Sequence, residues 1–148
     1  MKFLCDRMLG TLSRGLRFLG FDTTFGGEVT DSDLADEAAR EGRILLTRDK
    51  ELAARTGTFY VASDDLDEQI LSVLRAFHLT IERPLSRCSL CNGELEEVRR
   101  DEIRNPPPDE ILQRHTAFWR CLGCRKVYWQ GSHWESLEKR IAEWQSLL

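Results

Sequence analysis

Four of the five cysteines stand in two CxxC pairs, at Cys88, Cys91, Cys121 and Cys124. Each CxxC turn can aim two thiolates at one ion, and two such turns supply the tetrahedral sulfur shell that zinc accepts. Basic residues beside both pairs would ease the charge of four thiolates: Arg87, Arg120, Arg125 and Lys126. We predict a structural zinc site here, because four cysteines leave no open position for a substrate.

Two other uses of paired cysteines are a redox disulfide and an iron–sulfur cluster. Neither has supporting context, since the intervening segment is typical of the strands and loop of a zinc ribbon, and the chain has no export signal. Gly93 follows the first pair and Gly123 lies inside the second, and we expect both to supply the positive φ of a tight turn. Cys5 stands apart and is most simply a buried strand residue.

Carboxylates follow the hydrophobic stretches of the N-terminal half. Asp6 ends the first apolar strand, and Asp49 lies just past the strand "RILLT". Other aspartates lie near the ends of predicted strands or the starts of predicted helices: Asp31, Asp33, Asp64, Asp65 and Asp67. The carboxyl ends of parallel strands share one edge of a sheet, so these side chains can approach one another. Clustered carboxylates repel unless a cation joins them, and Mg²⁺ or Mn²⁺ is the natural candidate.

Helix capping is the competing explanation for some of these aspartates. It accounts for Asp31, Asp33 and Asp64 about as well as a metal does. Asp6 and Asp49 come directly after apolar strands and are less easily explained in that way. The cations beside them, Arg7, Arg48 and Lys50, could contact phosphates or simply pair with the carboxylates.

The residues that must position these groups alternate between strand and helix patterns. Residues 1–72 therefore predict an α/β unit with a mostly parallel sheet. We expect strands at 2–5, 21–25, 43–47 and 58–62, with a helix after each, the last one capped by Ser63 or Asp64. Short crossovers between the strands fit the parallel arrangement.

The pattern changes near Pro84, where the chain becomes rich in turns. We place a domain boundary there, giving one domain over 1–83 and a second over 84–148 that ends in a helix from about Trp134. The second domain also holds three neighbouring aromatic residues, Tyr128, Trp129 and Trp134, with His133 among them. They form either the ribbon's core and its contact with the first domain, or a stacking surface for the bases of single-stranded nucleic acid.

The composition is that of a globular protein of 148 residues with a net charge of −4. The acidic balance argues weakly against tight, non-specific binding to a duplex. No signal peptide or membrane span is recognisable, so we expect a cytoplasmic protein with no membrane contact.

The motifs taken together resemble the Mut-seven carboxy-terminal family, and the resemblance runs from Met1 to about Trp134. They are "FLCDRMLGTLSRGLRFLGFDT", "ILLTRD", "RCSLCNGEL" and "FWRCLGCRKVYWQGSHW". The resemblance implies an α/β fold: a compact PIN-like domain with a mostly parallel central sheet flanked by helices, plus a small C-terminal zinc ribbon. It also implies a metal-dependent ribonuclease that hydrolyses RNA phosphodiester bonds. The chain departs from many PIN nucleases in lacking a long helical insert before the "TRD" strand.

The resemblance to this family also implies roles for individual residues. Asp6, Asp31 and Asp49 match the ligands of a catalytic Mg²⁺ or Mn²⁺, with Asp33 a close rival of Asp31. Asp65 is preferred to Asp64 and Asp67 as the fourth catalytic acid. Four cations are the candidate contacts to RNA phosphates: Arg7, Arg14, Arg48 and Lys50.

The expected substrate is RNA, single-stranded or structured, and a ribosome or protein partner could bind through the zinc ribbon. The alternative function is a non-catalytic RNA- or ribosome-binding zinc-ribbon protein in which the acidic cluster is structural. A nuclease-like toxin fits less well, because the fused ribbon suggests a partner-binding role.

Overall fold

A computed structural model describes the whole chain, residues 1–148. Strands and helices alternate through the N-terminal half: β1 Lys2–Cys5, α1 Gly10–Phe18, β2 Asp22–Phe25, α2 Asp31–Glu41, β3 Ile44–Thr47, α3 Lys50–Ala53, β4 Thr58–Tyr60 and α4 Leu66–Ala76. Five elements follow: β5 Leu95–Val98, α5 Asp109–Arg114, β6 Phe118–Cys121, β7 Val127–Trp129 and α6 Ser132–Ser146.

The first four strands form one parallel sheet in the order β2-β1-β3-β4. The prediction of an α/β fold with a parallel sheet flanked by helices is confirmed. From β1 the chain moves outward to β2, and from β3 it moves outward to β4 in the other direction. The strand order therefore reverses between β1 and β3, which is where open parallel sheets form their binding crevices.

Alternate residues of β1 face different layers of helices, as the period of two in a strand requires. Phe3 and Cys5 lie in the larger core, with Leu16 of α1 and Ile70 of α4. Leu4 points to the other face and packs in a smaller core formed mostly by α2, β3 and α3. Burial on both faces makes β1 rigid, so the residue that follows it has a well-defined position.

Local capping sets the starts of the helices. Thr30 caps α2, where its hydroxyl accepts a hydrogen bond from the Asp33 N–H at 3.3 Å. The prediction that Ser63 or Asp64 caps the fourth helix is wrong. Asp65 caps α4, because its carboxylate accepts from the Glu68 N–H at 3.0 Å.

The C-terminal strands form an antiparallel sheet in the order β5-β6-β7, which we call the ribbon together with its two cysteine turns. Its own core is small and centres on Val98, Ile103 and Phe118. The terminal helix α6 leaves the ribbon and packs on α4, with Ile141 and Trp144 in the larger core of the α/β part. None of the helices combines the length and apolar character needed to cross a membrane.

The first cysteine turn lies against β2, the edge strand of the parallel sheet. Asn92 accepts a hydrogen bond from the backbone N–H of Thr23 at 2.9 Å and donates to the carboxylate of Asp22 at 2.7 Å. The buried Arg17 of α1 donates to the carbonyls of Ser89 and Thr23, each at 2.8 Å. These hydrogen bonds fix the position of the ribbon relative to the sheet.

Candidate active site and metal centre

Asp6 is buried at the carboxyl end of β1, with 5% of its surface exposed. Its Oδ1 accepts a hydrogen bond from the Met8 N–H at 3.0 Å, and its Oδ2 accepts one from the hydroxyl of Thr47. The backbone N–H of Asp6 donates to the Leu46 carbonyl at 3.1 Å. The carboxylate is thus held in one orientation by groups from β3 and from the turn that follows β1.

Asp49 belongs to the same hydrogen-bonded group. Its backbone N–H donates to the Thr47 hydroxyl oxygen at 2.9 Å, and that hydroxyl in turn donates to Asp6. The Asp49 Oδ1 caps α3 by accepting from the Glu51 and Leu52 N–H groups, at 2.8 and 3.1 Å. Its Oδ2 has no protein hydrogen bond and is free to contact a ligand. Asp6 and Asp49 are therefore brought together at the point where the strand order reverses.

Other predicted acids lie at the starts of helices that follow β2 and β4, which places them at the same edge of the sheet. Asp31 is exposed in the first turn of α2 and has no hydrogen-bond partner, whereas Asp33 is bonded to Thr30. Asp65 is exposed and serves as the cap of α4. Asp64 is exposed in the loop before that helix.

Asp67 faces the terminal helix. Its Oδ1 accepts from Arg140 Nη2 and from the Trp144 indole, each at 2.8 Å. The hydrogen bond from Arg140, joined by the one from Trp144, holds the pKa of the Asp67 carboxyl below its usual value. Asp67 therefore serves to attach α6.

The aspartates at the sheet edge do not form a tight cluster. No three of their carboxylates bring oxygen atoms within 4.8 Å of one another. They also lack cationic partners, because all six ion pairs of the chain use other acidic residues. For the buried Asp6 this is unusual, since a carboxylate removed from water is normally paired with a cation or a metal.

The four cations that we predicted to contact phosphates differ in their exposure and in the hydrogen bonds that they already make. Arg7, Arg14 and Lys50 are exposed and form no ion pair. Arg48 is half-buried, and its Nη2 donates to the Ala62 carbonyl at 3.4 Å. Its Nε is buried and has no hydrogen-bond partner.

The four paired cysteines converge on one point, with all four sulfur atoms within 4.8 Å of one another. The Sγ atoms of Cys88 and Cys124 are 3.7 Å apart, and those of Cys91 and Cys121 are 3.3 Å apart. A zinc ion with bonds of about 2.3 Å requires sulfur atoms about 3.8 Å apart. All four thiols are free, so the residues fit a metal ion such as zinc and form no disulfide.

The glycines beside the cysteines act differently from the prediction. Neither has a positive φ; the left-handed residues of the two turns are Asn92 and Arg125, at φ of 70° and 68°. A Cβ atom on Gly93 would lie 2.7 Å from the sulfur of Cys121, and one on Gly123 would lie 3.2 Å from that of Cys91. A side chain at Gly93 would therefore force the cysteine site to shift, whereas one at Gly123 would make a tight contact with sulfur.

Burial and hydrogen bonds to sulfur shift the pKa values of the Cys91 and Cys121 thiols in opposite directions. Burial by itself raises the pKa of the Cys91 thiol, but the Gly93 N–H and the neighbouring thiols outweigh it and lower that pKa to about 7. In Cys121 burial prevails and raises the pKa to about 12. The hydroxyl of Tyr128 lies 3.0 Å from the sulfur of Cys88 and can donate to a thiolate there.

Thr47, Arg17 and Asn92 were not identified from the sequence. Thr47 stands in the "TRD" motif, but its importance depends on a partner 41 positions away. In the sequence, Arg17 lies on the polar side of an amphipathic helix. Only the structure shows that the ribbon buries it. Only the placement of Asn92 directly after a CxxC pair could have drawn attention to it.

A doubly wound parallel α/β unit joined to a four-cysteine ribbon is the class of protein that these features define. The chain belongs to the Mut7-C RNAse domain family, whose model matches residues 1–141. It is also 35% identical, over 114 residues, to a human protein named exonuclease mut-7 homolog. That match covers 70% of this chain but spans only 13% of the human protein. No solved structure matches the chain.

Proposed function

We propose that this chain is a metal-dependent ribonuclease whose reacting centre lies where β1 and β3 end. The observation that carries the proposal is the buried carboxylate of Asp6, which has no cationic partner and is joined through Thr47 to Asp49. Membership of an RNase-domain family supports RNA as the substrate. The parallel sheet and its acidic edge also suit the PIN-like architecture that the family resemblance implies.

The aspartate carboxylates at this edge of the parallel sheet are suited to bind Mg²⁺ or Mn²⁺, because hard cations prefer carboxylate oxygens. Asp6 and Asp49 would hold the ion together with Asp31, and Asp65 is the fourth acid of the proposal. When bound to carboxylates, such an ion supplies a more acidic water and offsets the charge of a phosphodiester.

The protein's own contribution is orientation. Thr47 holds Asp6 in place, and the N-terminus of α3 fixes one oxygen of Asp49 so that the other faces outward. Arg7 and Lys50 lie next to these acids in sequence, and together with Arg14 and the half-buried guanidinium of Arg48 they would contact phosphate oxygens. Such contacts position the RNA backbone without reading its sequence.

For the cysteine site we propose structural zinc, because the sulfur geometry and the closed shell suit that metal. The ribbon would then assist the binding of RNA or of a protein partner, the ribosome included. A cytoplasmic location is part of this proposal, since a reducing compartment favours free thiols that can bind a metal over a disulfide.

Cleavage of a labelled single-stranded RNA in the presence of Mn²⁺ or Mg²⁺ tests the nuclease proposal. The wild type should cut, and both Asp6→Asn and Asp49→Asn should lose activity while remaining folded. Asp36→Asn is the matched control, because Asp36 is an exposed aspartate of α2 outside the proposed site and should keep full activity. Equal cleavage by all four proteins, or none by the wild type, would refute the proposal.

The wide spacing of the carboxylates favours a second candidate, a non-catalytic RNA-binding zinc-ribbon protein. In that case the wild type would bind the labelled RNA with no metal-dependent cleavage. Asp6→Asn would then leave RNA affinity unchanged, because the acidic edge would have only a structural role.

A further inference from the structure

A cleft of about 730 Å³ lies along β7, the edge strand of the ribbon, between the end of α5 and the start of α6. We call it the ribbon cleft. Phe18, at the end of α1, forms part of its wall. Four residues of its wall carry the argument that follows: Arg114, Lys126, Tyr128 and Trp134. The volume lies within the usual range of small-molecule and nucleotide pockets.

The aromatic rings of the ribbon cleft are held in fixed positions. Trp134 is stacked on Trp119, with ring centroids 5.0 Å apart and an angle of 23° between the planes. Its indole N–H donates to Glu138 at 3.1 Å. The Tyr128 hydroxyl is anchored at 3.0 Å from the sulfur of Cys88. Rings held in this way lose little freedom when a flat ligand stacks on them.

The charge of the ribbon cleft is opposite to that of the chain as a whole. Its wall contains three basic side chains, Arg87, Arg114 and Lys126, and one acidic side chain, Glu135, so three positive charges less one negative charge give a local charge of +2. The whole chain carries −4. Arg114 and Lys126 are exposed and form no ion pair. The Lys126 Nζ lies 5.1 Å from the centroid of the Tyr128 ring, and because no carboxylate neutralises either cation, both can contact an anionic ligand.

We infer that the ribbon cleft binds a stretch of single-stranded RNA, with bases on its aromatic rings and phosphates on Arg114 and Lys126. Fixed aromatic rings with nearby free cations are the combination that recognises unpaired nucleotides. An extended peptide added to the edge strand is the other possible occupant. It is less favoured, because β7 has only three residues and offers few main-chain hydrogen bonds.

The inference rests on the proposed ribonuclease function for the identity of its ligand, but the two sites are separate. Helix α1 begins at Gly10, four residues after Asp6, and ends at Phe18, in the wall of the ribbon cleft. Nine residues of helix span about 13 Å. RNA in the ribbon cleft is therefore held away from the proposed reacting centre, and we expect the cleft to retain the strand while another part of it is cut.

Binding is measured first, with fluorescently labelled single-stranded RNA and the full chain carrying Asp49→Asn, without added divalent metal. In this background Arg114→Glu with Lys126→Glu should raise Kd about tenfold at 0.1 M salt and reduce the slope of log K against log salt by about 1.4. The matched control is Arg55→Glu with Lys139→Glu, which makes the same change of charge at exposed positions outside the cleft. It should change Kd by less than about twofold.

Stacking is tested separately by tryptophan fluorescence. RNA should quench the emission of the Asp49→Asn chain, and adding Trp134→Ala should remove part of this quenching and raise Kd about fivefold or more. Retained zinc content and an unchanged circular dichroism spectrum would show that this variant is folded. The same two checks apply to the charge-reversal pair, because Lys126 lies two residues from Cys124. If Trp134→Ala is not folded, a folded charge-reversal pair still decides the question.

Two results would overturn the inference: equal Kd values for the charge-reversal pair and its control, or quenching by an extended peptide but not by RNA. The outcome does not depend on catalysis, because all binding is measured with the Asp49→Asn chain. If the wild type cuts RNA but the charge-reversal pair has no effect, the nuclease proposal stands and the cleft proposal fails. If the wild type does not cut RNA but the cleft binds it, the nuclease proposal fails and the cleft proposal stands.

Discussion

The Thr47 hydroxyl at the end of β3 donates a hydrogen bond to the carboxylate of Asp6 at the end of β1. Both residues are buried, and the same hydroxyl accepts from the backbone N–H of Asp49. The carboxylate of Asp6 and the backbone of Asp49 are thereby joined through one side chain.

Replacement of Thr47 by valine, which has a similar shape, should leave Asp6 Oδ2 and the Asp49 N–H without their partner. An unsatisfied buried group costs about 1–3 kcal/mol, so the free energy of unfolding in urea should fall by that amount. A carboxylate displaced by about 1 Å can cost up to about a hundredfold in kcat for RNA cleavage. Thr47→Ser is the control, since it keeps the hydroxyl, and it should lie close to the wild type in both measurements.

Asp49 has two roles that substitutions can separate. Asparagine caps helices about as well as aspartate, so Asp49→Asn should keep the stability of the chain while removing the charge needed for a cation. Asp49→Ala should lose activity and also about 1 kcal/mol of stability, because α3 loses its cap. Urea unfolding and RNA cleavage of both variants make the comparison. A loss of stability as large in Asp49→Asn as in Asp49→Ala would show that the charge itself stabilises the fold.

Cysteine sulfur atoms lie close to Gly93, so we expect the metal centre to be sensitive to substitution of this glycine. In Gly93→Ala the new methyl group would lie 2.7 Å from the sulfur of Cys121, so the purified variant should contain less than the one zinc ion per chain expected of the wild type. Because Asn92 and Arg17 join this turn to the parallel sheet, loss of zinc should also lower the unfolding temperature of the whole chain.

Gly10→Ala is the matched control for that experiment. A Cβ atom at Gly10 meets only the ring of Phe25, at 3.4 Å, and the backbone there is helical. The variant should keep its zinc and its stability. Full zinc content in Gly93→Ala would contradict the role assigned to this glycine.

The attachment of the terminal helix should depend on pH through Asp67. Its pKa in the folded chain is lowered by Arg140, below the unfolded value of about 3.9. The contribution to stability is therefore complete above about pH 4 and is lost as the pH falls through the lower, folded pKa. Its size should be below about 1 kcal/mol, because the Asp67 and Arg140 side chains are 51% and 44% exposed.

Urea unfolding of the wild type and Asp67→Asn at a series of pH values measures this contribution. The difference in stability should be constant above about pH 4 and shrink at lower pH, while any loss of zinc in acid affects both proteins alike. Asp36→Asn, without an ion pair, should show no such difference from the wild type. A constant difference down to the lowest pH would contradict the assignment.

The family resemblance and the residue pattern together predicted that aspartates gather at one edge of the parallel sheet. The structure shows that these aspartates differ in how they are held there. Asp6 and Asp49 follow adjacent strands and are joined by one hydroxyl. Asp31 and Asp65 begin helices, where capping and the favourable charge of a helix start account for an aspartate even without a metal. Their roles as ligands remain predictions.

The sequence by itself determined the order of strands and helices, because the apolar run of β1 and the apolar faces of α1 and α4 are local properties of the chain. It also determined the four-cysteine site, since two CxxC turns restrict the chemistry to a few possibilities. Only the tertiary structure decided which side chains meet across long separations: Thr47 with Asp6, Asp67 with the terminal helix, and Arg17 with the first cysteine turn. It also showed that Gly93 and Gly123 make room for sulfur rather than supply a positive φ. The physical reason is the same in each case, because these contacts depend on how distant elements pack, and no periodicity or spacing along the chain encodes that packing directly.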